Sequence, residues 1–405
     1  MLDRKPRIGI VGLGRGDSFF SLISECGGEL VAVCDTNTSK FKKVIPYMAP
    51  CGGYYQDYDE FLKCDLDGVI LTNYFTEHAE FAIKAMKAGK AVLTECTAAV
   101  TMAQCVKLLR AQEETGMIYM LAENYPYASS NQEMRRVYKS GRLGEAVYAE
   151  GEYVHYLNNE ELIGIAPGMN HWRRYLAKTY YSTHSMAPLM YATDLEPKNV
   201  VSFAACIDEL AENDSRFSGD SCAQMLVEMD NGSIFRVCGN VSFGQPGDWY
   251  RIDCTDGGIE TVRGDRPQIR LNFRDDILPA GVSKAEQYYT PDFPEDSEAA
   301  KATGHSGGDY FIIRNFIRHI KDGTEPYFNV KKSVKLSELG ILAWRSVLSG
   351  GTRFEIPDLS NEHERKRWEN DDFSPFPNVT TGEGPTLPCC SKNIKTKYYD
   401  KKEGK

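Results

Sequence analysis

An apolar strand that runs straight into a cluster of glycines, with strands and helices alternating behind it, constrains this chain more than any other feature. Ile8–Val11 leads into Gly12-Leu13-Gly14-Arg15-Gly16, and further short apolar runs follow at Leu30–Cys34, Gly68–Leu71, Ala91–Thr94 and Met117–Ala122. Such runs, bounded by turn residues, read as buried strands. Between them, Glu77–Ala88 places Ala79, Ala82, Ile83 and Met86 on one helical face, with Thr76 expected to cap the start and Gly89 the end. Ala103–Glu114 repeats the pattern between Thr101 and Gly116. Amphipathic helices between near-continuous apolar strands require a parallel sheet covered on both faces.

Glycines at a strand-to-helix turn let the backbone turn tightly and approach a pyrophosphate at the helix N-terminus. The spacing departs from G-x-G-x-x-G, because Gly16 comes one residue early and Asp17 follows it. Asp35 ends the second strand, 21 residues after Gly14, where a carboxylate accepts hydrogen bonds from a ribose diol. A turn-capping role ahead of Thr36-Asn37 is the plainer reading of Asp35, but glycine run, strand and carboxylate together point to a dinucleotide. Thr36–Thr38 bring no arginine to meet a 2′-phosphate, which favours NAD over NADP. Residues 1–124 are therefore expected to form an α/β Rossmann domain.

The periodicity then changes. One more helix is expected at Ser129–Lys139, after which Ala146–Val154, Ser221–Met229, Ser233–Val241 and Tyr250–Thr255 alternate as half-buried strands. Asp230-Asn231-Gly232 and Asp256-Gly257-Gly258 read as hairpin turns, and two helices close the region at Asp309–Lys321 and Ser333–Leu348. The expectation is a second α/β domain over 125–372 with a large open, mostly antiparallel sheet. Residues 373–405 read as an arm or loose tail, with Phe376 available to embrace a neighbour.

Composition narrows the partners. Lys+Arg is 47 against Asp+Glu 57, a net charge of −10, which disfavours nucleic acid and anionic membrane surfaces. Twelve cysteines without a CxxC pair and seven histidines without ligand spacing argue for reduced thiols and no metal site. No apolar signal region follows the charged Met1–Arg7 segment, so a cytoplasmic location is expected.

Val69-Ile-Leu-Thr72-Asn73-Tyr-Phe75-Thr-Glu-His78, followed by Ala85-Met-Lys-Ala-Gly89-Lys90-Ala-Val-Leu-Thr-Glu95, resembles the Gfo/Idh/MocA superfamily of NAD(P)-dependent sugar oxidoreductases. The likeness continues through Gly308–Ile317 and the final helix ending Ser349-Gly-Gly-Thr-Arg-Phe-Glu-Ile-Pro357. It implies that Gly12, Gly14, Arg15, Gly16, Asp35, Thr72, Asn73, Phe75, His78, Glu95, Cys96 and Asn124 line an NAD site. Several of these have a plainer reading as a strand-end turn, a helix first turn, a capping acid or a turn amide. Sugar dehydrogenases of this superfamily carry a lysine in a Glu-Lys-Pro motif; Glu95-Cys96-Thr97-Ala98-Ala99 lacks it, and Tyr180 stands where an aspartate precedes the histidine of an Asp-x-x-x-His pair.

Six ordered motifs instead resemble the NAD-dependent glycoside hydrolases typified by bacterial α-N-acetylgalactosaminidases. They are Glu95–Ala99, Tyr119–Asn124, Gly151-Glu-Tyr153-Val-His155, Trp172-Arg173, Tyr181-Ser-Thr-His184-Ser-Met-Ala-Pro188 and Gly304-His305-Ser-Gly-Gly-Asp309, with Thr97 and Ser182 replacing two prolines. The resemblance implies oxidation of a ring hydroxyl at C3, elimination across C1–C2, hydration, and return of the hydride. Tyr153 and His155 lie at i, i+2 on a strand and share a face; Tyr181 and His184, at i, i+3, are reachable from one side of a helix turn. Tyr153 is assigned C2 proton transfer and His184 the C3 hydroxyl, with His155 and Tyr181 in support. Arg173, Trp172, His305 and Asp309 are the substrate-binding candidates, and the partner is a small carbohydrate or glycoside. Each has a plainer role open to it, as a sheet-face tyrosine, a core histidine, a turn residue or a stacked surface pair. A simple NAD-dependent sugar or polyol dehydrogenase and a non-catalytic NAD-binding regulator remain the competing readings. An exposed sheet face favours a homo-oligomer, dimer or tetramer.

Overall fold

Six short apolar strands, β1 (Arg7–Val11), β2 (Glu29–Cys34), β3 (Gly53–Tyr55), β4 (Gly68–Leu71), β5 (Ala91–Thr94) and β6 (Tyr119–Leu121), pair in the order β3-β2-β1-β4-β5-β6. Every pairing is parallel. This is the doubly wound arrangement that the alternation requires, and its crevice opens beyond the carboxyl ends of β1 and β4. The computed structural model describes residues 2–166, 171–205, 222–241, 244–264 and 267–376.

The helices follow their local signals with one exception. Helix Met102–Thr115 is capped by the Thr101 side chain, which accepts from Gln104 N, and ends at left-handed Gly116. Helix His78–Lys87 starts from Glu77 without a side-chain cap, so Thr76 does not serve as its N-cap.

The second sheet runs β14-β13-β12-β11-β7-β10-β9-β8-β15. Its strands are β7 (Ala146–His155), β8 (Pro197–Ala205), β9 (Cys222–Met229), β10 (Ile234–Val241), β11 (Gly247–Cys254), β12 (Gly257–Thr261), β13 (Ile269–Phe273), β14 (Glu286–Tyr289) and β15 (Phe354–Glu355). Among the described residues only β7 and β10 pair in parallel; β7 is the central strand of the order. Gly232 takes positive φ in the β9–β10 turn, as its sequence suggests. The β11–β12 turn falls on Thr255-Asp256 instead of Asp256-Gly257-Gly258, and Gly257 opens β12. A Cβ there would lie 2.3 Å from Asn272 O, so close strand approach explains that glycine.

By internal packing the chain forms two units. The first comprises Met1–Tyr127, Glu295–Ser337 and Leu359–Asp372; the second comprises Ala128–Pro294, Glu338–Asp358 and the residues described from Phe373 on. Two segments placed by sequence in the second domain thus join the first. Helix Gly308–Asp322 docks where glycines make room: a Cβ on Gly68 would meet Ile320 at 2.6 Å, and one on Gly28 would meet Ile317 at 2.9 Å. Helix Glu362–Trp368 is fastened to helix Met102–Thr115 by Arg365, which donates to both Glu113 oxygens at 2.6 Å. The start of the expected tail is packed too. Phe376 is buried edge-on against Tyr180, and Phe373 lies on Trp344, so Phe376 is not free for a neighbour. Residues 377–405 of that tail lie outside the described residues. No helix among the described residues is long and apolar enough to cross a membrane.

Candidate functional site

The candidate residues fall into two sets, one in each unit. In the first unit the glycine run does what its spacing only partly suggested. Gly12 has φ +86°, and a Cβ there would sit 2.5 Å from Thr72 O and 2.7 Å from Asn73 N. A side chain on Gly16 would strike Ile10 at 2.8 Å, so this early third glycine performs the helix–strand packing. Thr72 pins the turn from the next strand, its hydroxyl donating to Val11 O at 2.9 Å. Above Gly14 there is room, and the nearest atom to a Cβ is Lys40 Nζ at 3.7 Å.

Asp35 stands at the end of β2 with its carboxylate held in place. Oδ2 accepts from Leu13 N at 2.7 Å and from Lys40 Nζ at 2.9 Å, and Oδ1 accepts from Asn37 N at 2.8 Å. Lys40, which sequence reasoning passed over, places its ammonium beside the nucleotide loop. It lies two residues past Thr38, at the end of the 3₁₀ turn Thr38–Lys40.

Arg15, Glu95, Asn124, His305 and Asp309 form one polar knot. Arg15 donates through Nε to Glu95 at 2.8 Å and through both terminal nitrogens to Asp309 at 2.8 and 3.1 Å. Asn124 Nδ2 and His305 Nδ1 complete the Asp309 shell, each at 2.9 Å. Burial alone raises the Asp309 carboxyl, but bonds from His305 and Arg15 and the Arg15 charge hold it well below the usual carboxylate range. Burial likewise opposes the Arg15 charge, and Glu95 and Asp309 outweigh it. Both Asp309 oxygens are therefore committed to protein donors, which leaves His305 as the more available of that pair. His305 and Ser306 both adopt left-handed backbone, unusual for non-glycine residues.

His78 and Phe75 are buried side by side at the start of helix His78–Lys87. Nδ1 of His78 lies 2.9 Å from Thr97 O; burial pushes the ring pKa below its usual value, only partly offset by that bond, so the ring is neutral. Cys96 donates from Sγ to the buried Glu123 at 3.0 Å. Thr97, in the place of a proline, bonds to Ser337 Oγ at 2.9 Å, and that hydroxyl also accepts from Ala99 N.

These residues fit a dinucleotide on two counts. The Gly12 turn is a cradle that any Cβ would fill. The buried carboxamide oxygens of Asn73 and Asn124 meet no protein donor, which suits the hydroxyl and amide donors of NAD.

In the second unit, Tyr153 on β7 is the centre of the Tyr/His group. Its ring centroid lies 4.6 Å from His184, 5.7 Å from Tyr181 and 6.1 Å from His155, while Tyr181 and His184 meet edge-on at 5.2 Å. Tyr153 is buried, Tyr181 and His184 are partly exposed, and His155 is exposed at the strand end. The structure thus joins the two pairs read separately in the sequence.

Glycines bring them together. A Cβ on Gly151 would lie 2.0 Å from Ser185 O, and one on Gly239 would lie 2.0 Å from Lys178 O. The segment carrying Tyr181 and His184 therefore rests directly on the backbones of β7 and β10. Tyr250 of β11 fixes it from the side by donating its hydroxyl to His184 O at 2.7 Å. Glycine inside a strand is the signal that would have shown this approach. Arg173 lies over the Trp172 ring at 4.4 Å, and Trp172 stacks on His171; those contacts place the pair relative to each other and to His171.

Residues 6–123 match the family model described as oxidoreductase family, NAD-binding Rossmann fold, and residues 247–369 match glycosyl hydrolase 109, C-terminal domain. Both parts of the resemblance read from the motifs are borne out, and the first domain is an NAD-binding Rossmann domain. Among curated relatives, a glycosyl hydrolase family 109 protein of Solibacter usitatus is 26% identical over 399 residues, covering 90% of this chain and 89% of that protein. One from Porphyromonas gingivalis is 26% identical over 408 residues, covering 90% and 85%. Among solved structures, levoglucosan dehydrogenase in complex with NADH and L-sorbose superposes with a TM-score of 0.74 at 16% identity, over 88% of this chain and all of that one. An Agrobacterium radiobacter oxidoreductase in complex with NAD⁺, L-tartaric acid and magnesium gives 0.70 at 14% identity, over 87% and 98%.

Proposed function

We propose that this chain, with an NAD-binding Rossmann domain ahead of a glycosyl hydrolase 109-type domain, oxidises a sugar or glycoside at the C3 hydroxyl and carries it on to glycosidic cleavage. The observation that carries the reading is the gathering of Tyr153, Tyr181 and His184 within ring-contact distance, in a chain whose Glu95–Ala99 segment lacks the lysine of a plain sugar dehydrogenase.

NAD, when bound, supplies a hydride acceptor that can give the hydride back, so cleavage leaves no net change in the cofactor. Gly12, Gly14, Gly16 and Asp35 hold it, with Asn73 and Asn124 offering acceptors. The chain's own groups move the protons. His184 takes the proton of the C3 hydroxyl as that carbon is oxidised. A ketone at C3 acidifies the C2 hydrogen, and Tyr153 removes it while the C1 substituent departs. Water then adds at C1, Tyr153 returns a proton to C2, and His184 returns one to the oxygen at C3. Tyr181 and His155, in ring contact with Tyr153, tune and orient it. Arg173 and Trp172 offer a forked donor and a flat apolar face for the sugar. General acid–base groups of this kind work best when their protonation changes near the operating pH.

Aryl glycosides of both anomers test the reading, with absorbance followed at the aglycone and reduced-nicotinamide bands. The expected result is aglycone release without stoichiometric NADH, and loss of C2 deuterium to solvent during turnover. Release that retains C2 deuterium rejects the elimination route. Stoichiometric NADH without release leaves a simple dehydrogenase.

A further inference from the structure

We propose that Lys40 sets the dinucleotide specificity of this site and lets it take a 2′-phosphorylated dinucleotide as well as NAD. The inference rests on dinucleotide binding alone, and the sugar chemistry plays no part in it.

A carboxylate at the end of β2 normally selects a free ribose diol, because it accepts from both hydroxyls and repels a phosphate. Asp35 is not in that condition. Its Oδ2 already holds two donors, Leu13 N and the Lys40 ammonium, and Oδ1 holds Asn37 N. A carboxylate offers about four lone-pair sites, so three are taken, one of them by a side chain that can move. The Lys40 ammonium neutralises the charge that would exclude a phosphate. It also lies within 3.7 Å of the position a Gly14 Cβ would occupy, directly over the nucleotide loop.

The surroundings reinforce it. Lys42 and Lys43 follow in the same short segment, and Lys43 Nζ stands 3.5 Å from Asp17, the acid that directly follows Gly16. Asp35 and Asp17 are thus each matched by a lysine. Lys40 is about one-third exposed on a flexible stem, so it can stay on Asp35 when a diol arrives or swing to a phosphate monoester. That group carries about −1.5 to −2 charge near neutral pH.

The test is titration of the purified protein with NAD⁺ and with NADP⁺, read by calorimetry, for the wild type, Lys40→Met and Lys40→Arg. Wild type is expected to bind both, NADP⁺ within about a hundredfold of NAD⁺, with the NADP⁺ affinity falling more steeply as salt is raised. Lys40→Met uncovers Asp35 and removes the phosphate's partner, so the ratio of the two dissociation constants should shift tenfold or more toward NAD⁺. Lys40→Arg, whose guanidinium suits a phosphate, should keep the wild-type ratio or move it toward NADP⁺. Failure of NADP⁺ to bind while NAD⁺ binds, or an equal loss of both ligands in Lys40→Met, overturns the proposal. Binding of neither ligand by the wild type overturns the cofactor assignment with it. The sugar reaction is tested separately by turnover, so the two can fail independently.

Discussion

His184 and Tyr153 touch each other, yet the proposed steps separate them in time. His184→Ala should abolish oxidation and everything after it, a loss of about 10²–10⁴-fold for one acid–base group. Tyr153→Phe keeps the ring contacts and removes only the hydroxyl, so it should still reduce bound NAD while releasing no aglycone. Stopped-flow absorbance at the reduced-nicotinamide band tells the two apart, and equal partial losses in both would reject the division of roles. His78 makes a second prediction. Its folded pKa lies below the ordinary 6.5 because it is buried, and His319 shifts the same way for the same reason. Below pH 6.5 the unfolded chain takes up protons that the folded chain refuses. Stability should therefore be full above that pH and fall as pH drops through it, by at most about 1.4 kcal/mol per pH unit for each histidine. Urea melts between pH 7.5 and 5.5 check this, and His78→Gln should flatten the slope to the His319 share. At this scale the sequence was legible where a residue's backbone demands are local. Gly12 and Thr101 announce themselves by spacing. Lys40 did not, because its five-residue reach back to Asp35 follows no regular helix or strand spacing, and the closed shell of Asp309 did not, because Arg15 and Asn124 come to it from distant parts of the chain.

Strand positions were readable for a related reason: Gly68–Leu71 and Ala91–Thr94 are apolar runs with turn residues on both sides, and the structure keeps those bounds. What alternation cannot show is how closely a neighbouring element approaches. On β7 the inward residues Ala149, Gly151 and Tyr153 look like a weak strand with a glycine defect, yet Gly151 lets helix Thr183–Thr193 lie against the strand. Gly151→Ala would drive a methyl into Ser185 O, one residue from His184. Overpacking of this kind costs about 1–3 kcal/mol, and here it also lifts His184 away from Tyr153. The variant should melt lower and lose turnover, while its NAD affinity, held by the other unit, stays near wild type. A normal melting temperature with normal turnover would show that the helix does not depend on this contact.

Across the whole molecule the open face of the second sheet is divided in character. From β7 out to β14 it is a charged lattice, with Arg236 bonded to Glu150 and Glu152, Arg263 bonded to Glu152, and Arg270 to Glu260 and Glu286. Toward β8 it turns apolar, and Phe203 is 63% and Leu226 52% exposed. A face of this kind favours self-association. We expect a dimer or tetramer by light scattering at micromolar concentration, and Phe203→Asp with Leu226→Asp should reduce it to a monomer. A monomeric wild type would reject this. The partition into units was the least legible feature, because hydrophobic patterning shows which face of a helix is buried but not which core receives it. Helix Gly308–Asp322 was legible in the sequence and helix Glu362–Trp368 was not, and the membership of neither in the first unit could be read there. That interleaving bears on how the chain is made. The nucleotide-binding unit begins at the N-terminus but is closed by residues as late as Asp372. On a ribosome delivering about 5–20 residues per second, the long middle segment of the second unit, Ala128–Pro294, emerges while the first still lacks helices Ser297–Lys301, Gly308–Asp322 and Glu362–Trp368. Neither unit can therefore close early: the first waits for Asp372 and the second for Phe373 and Phe376, so each must keep an apolar face open to chaperones until synthesis is nearly over.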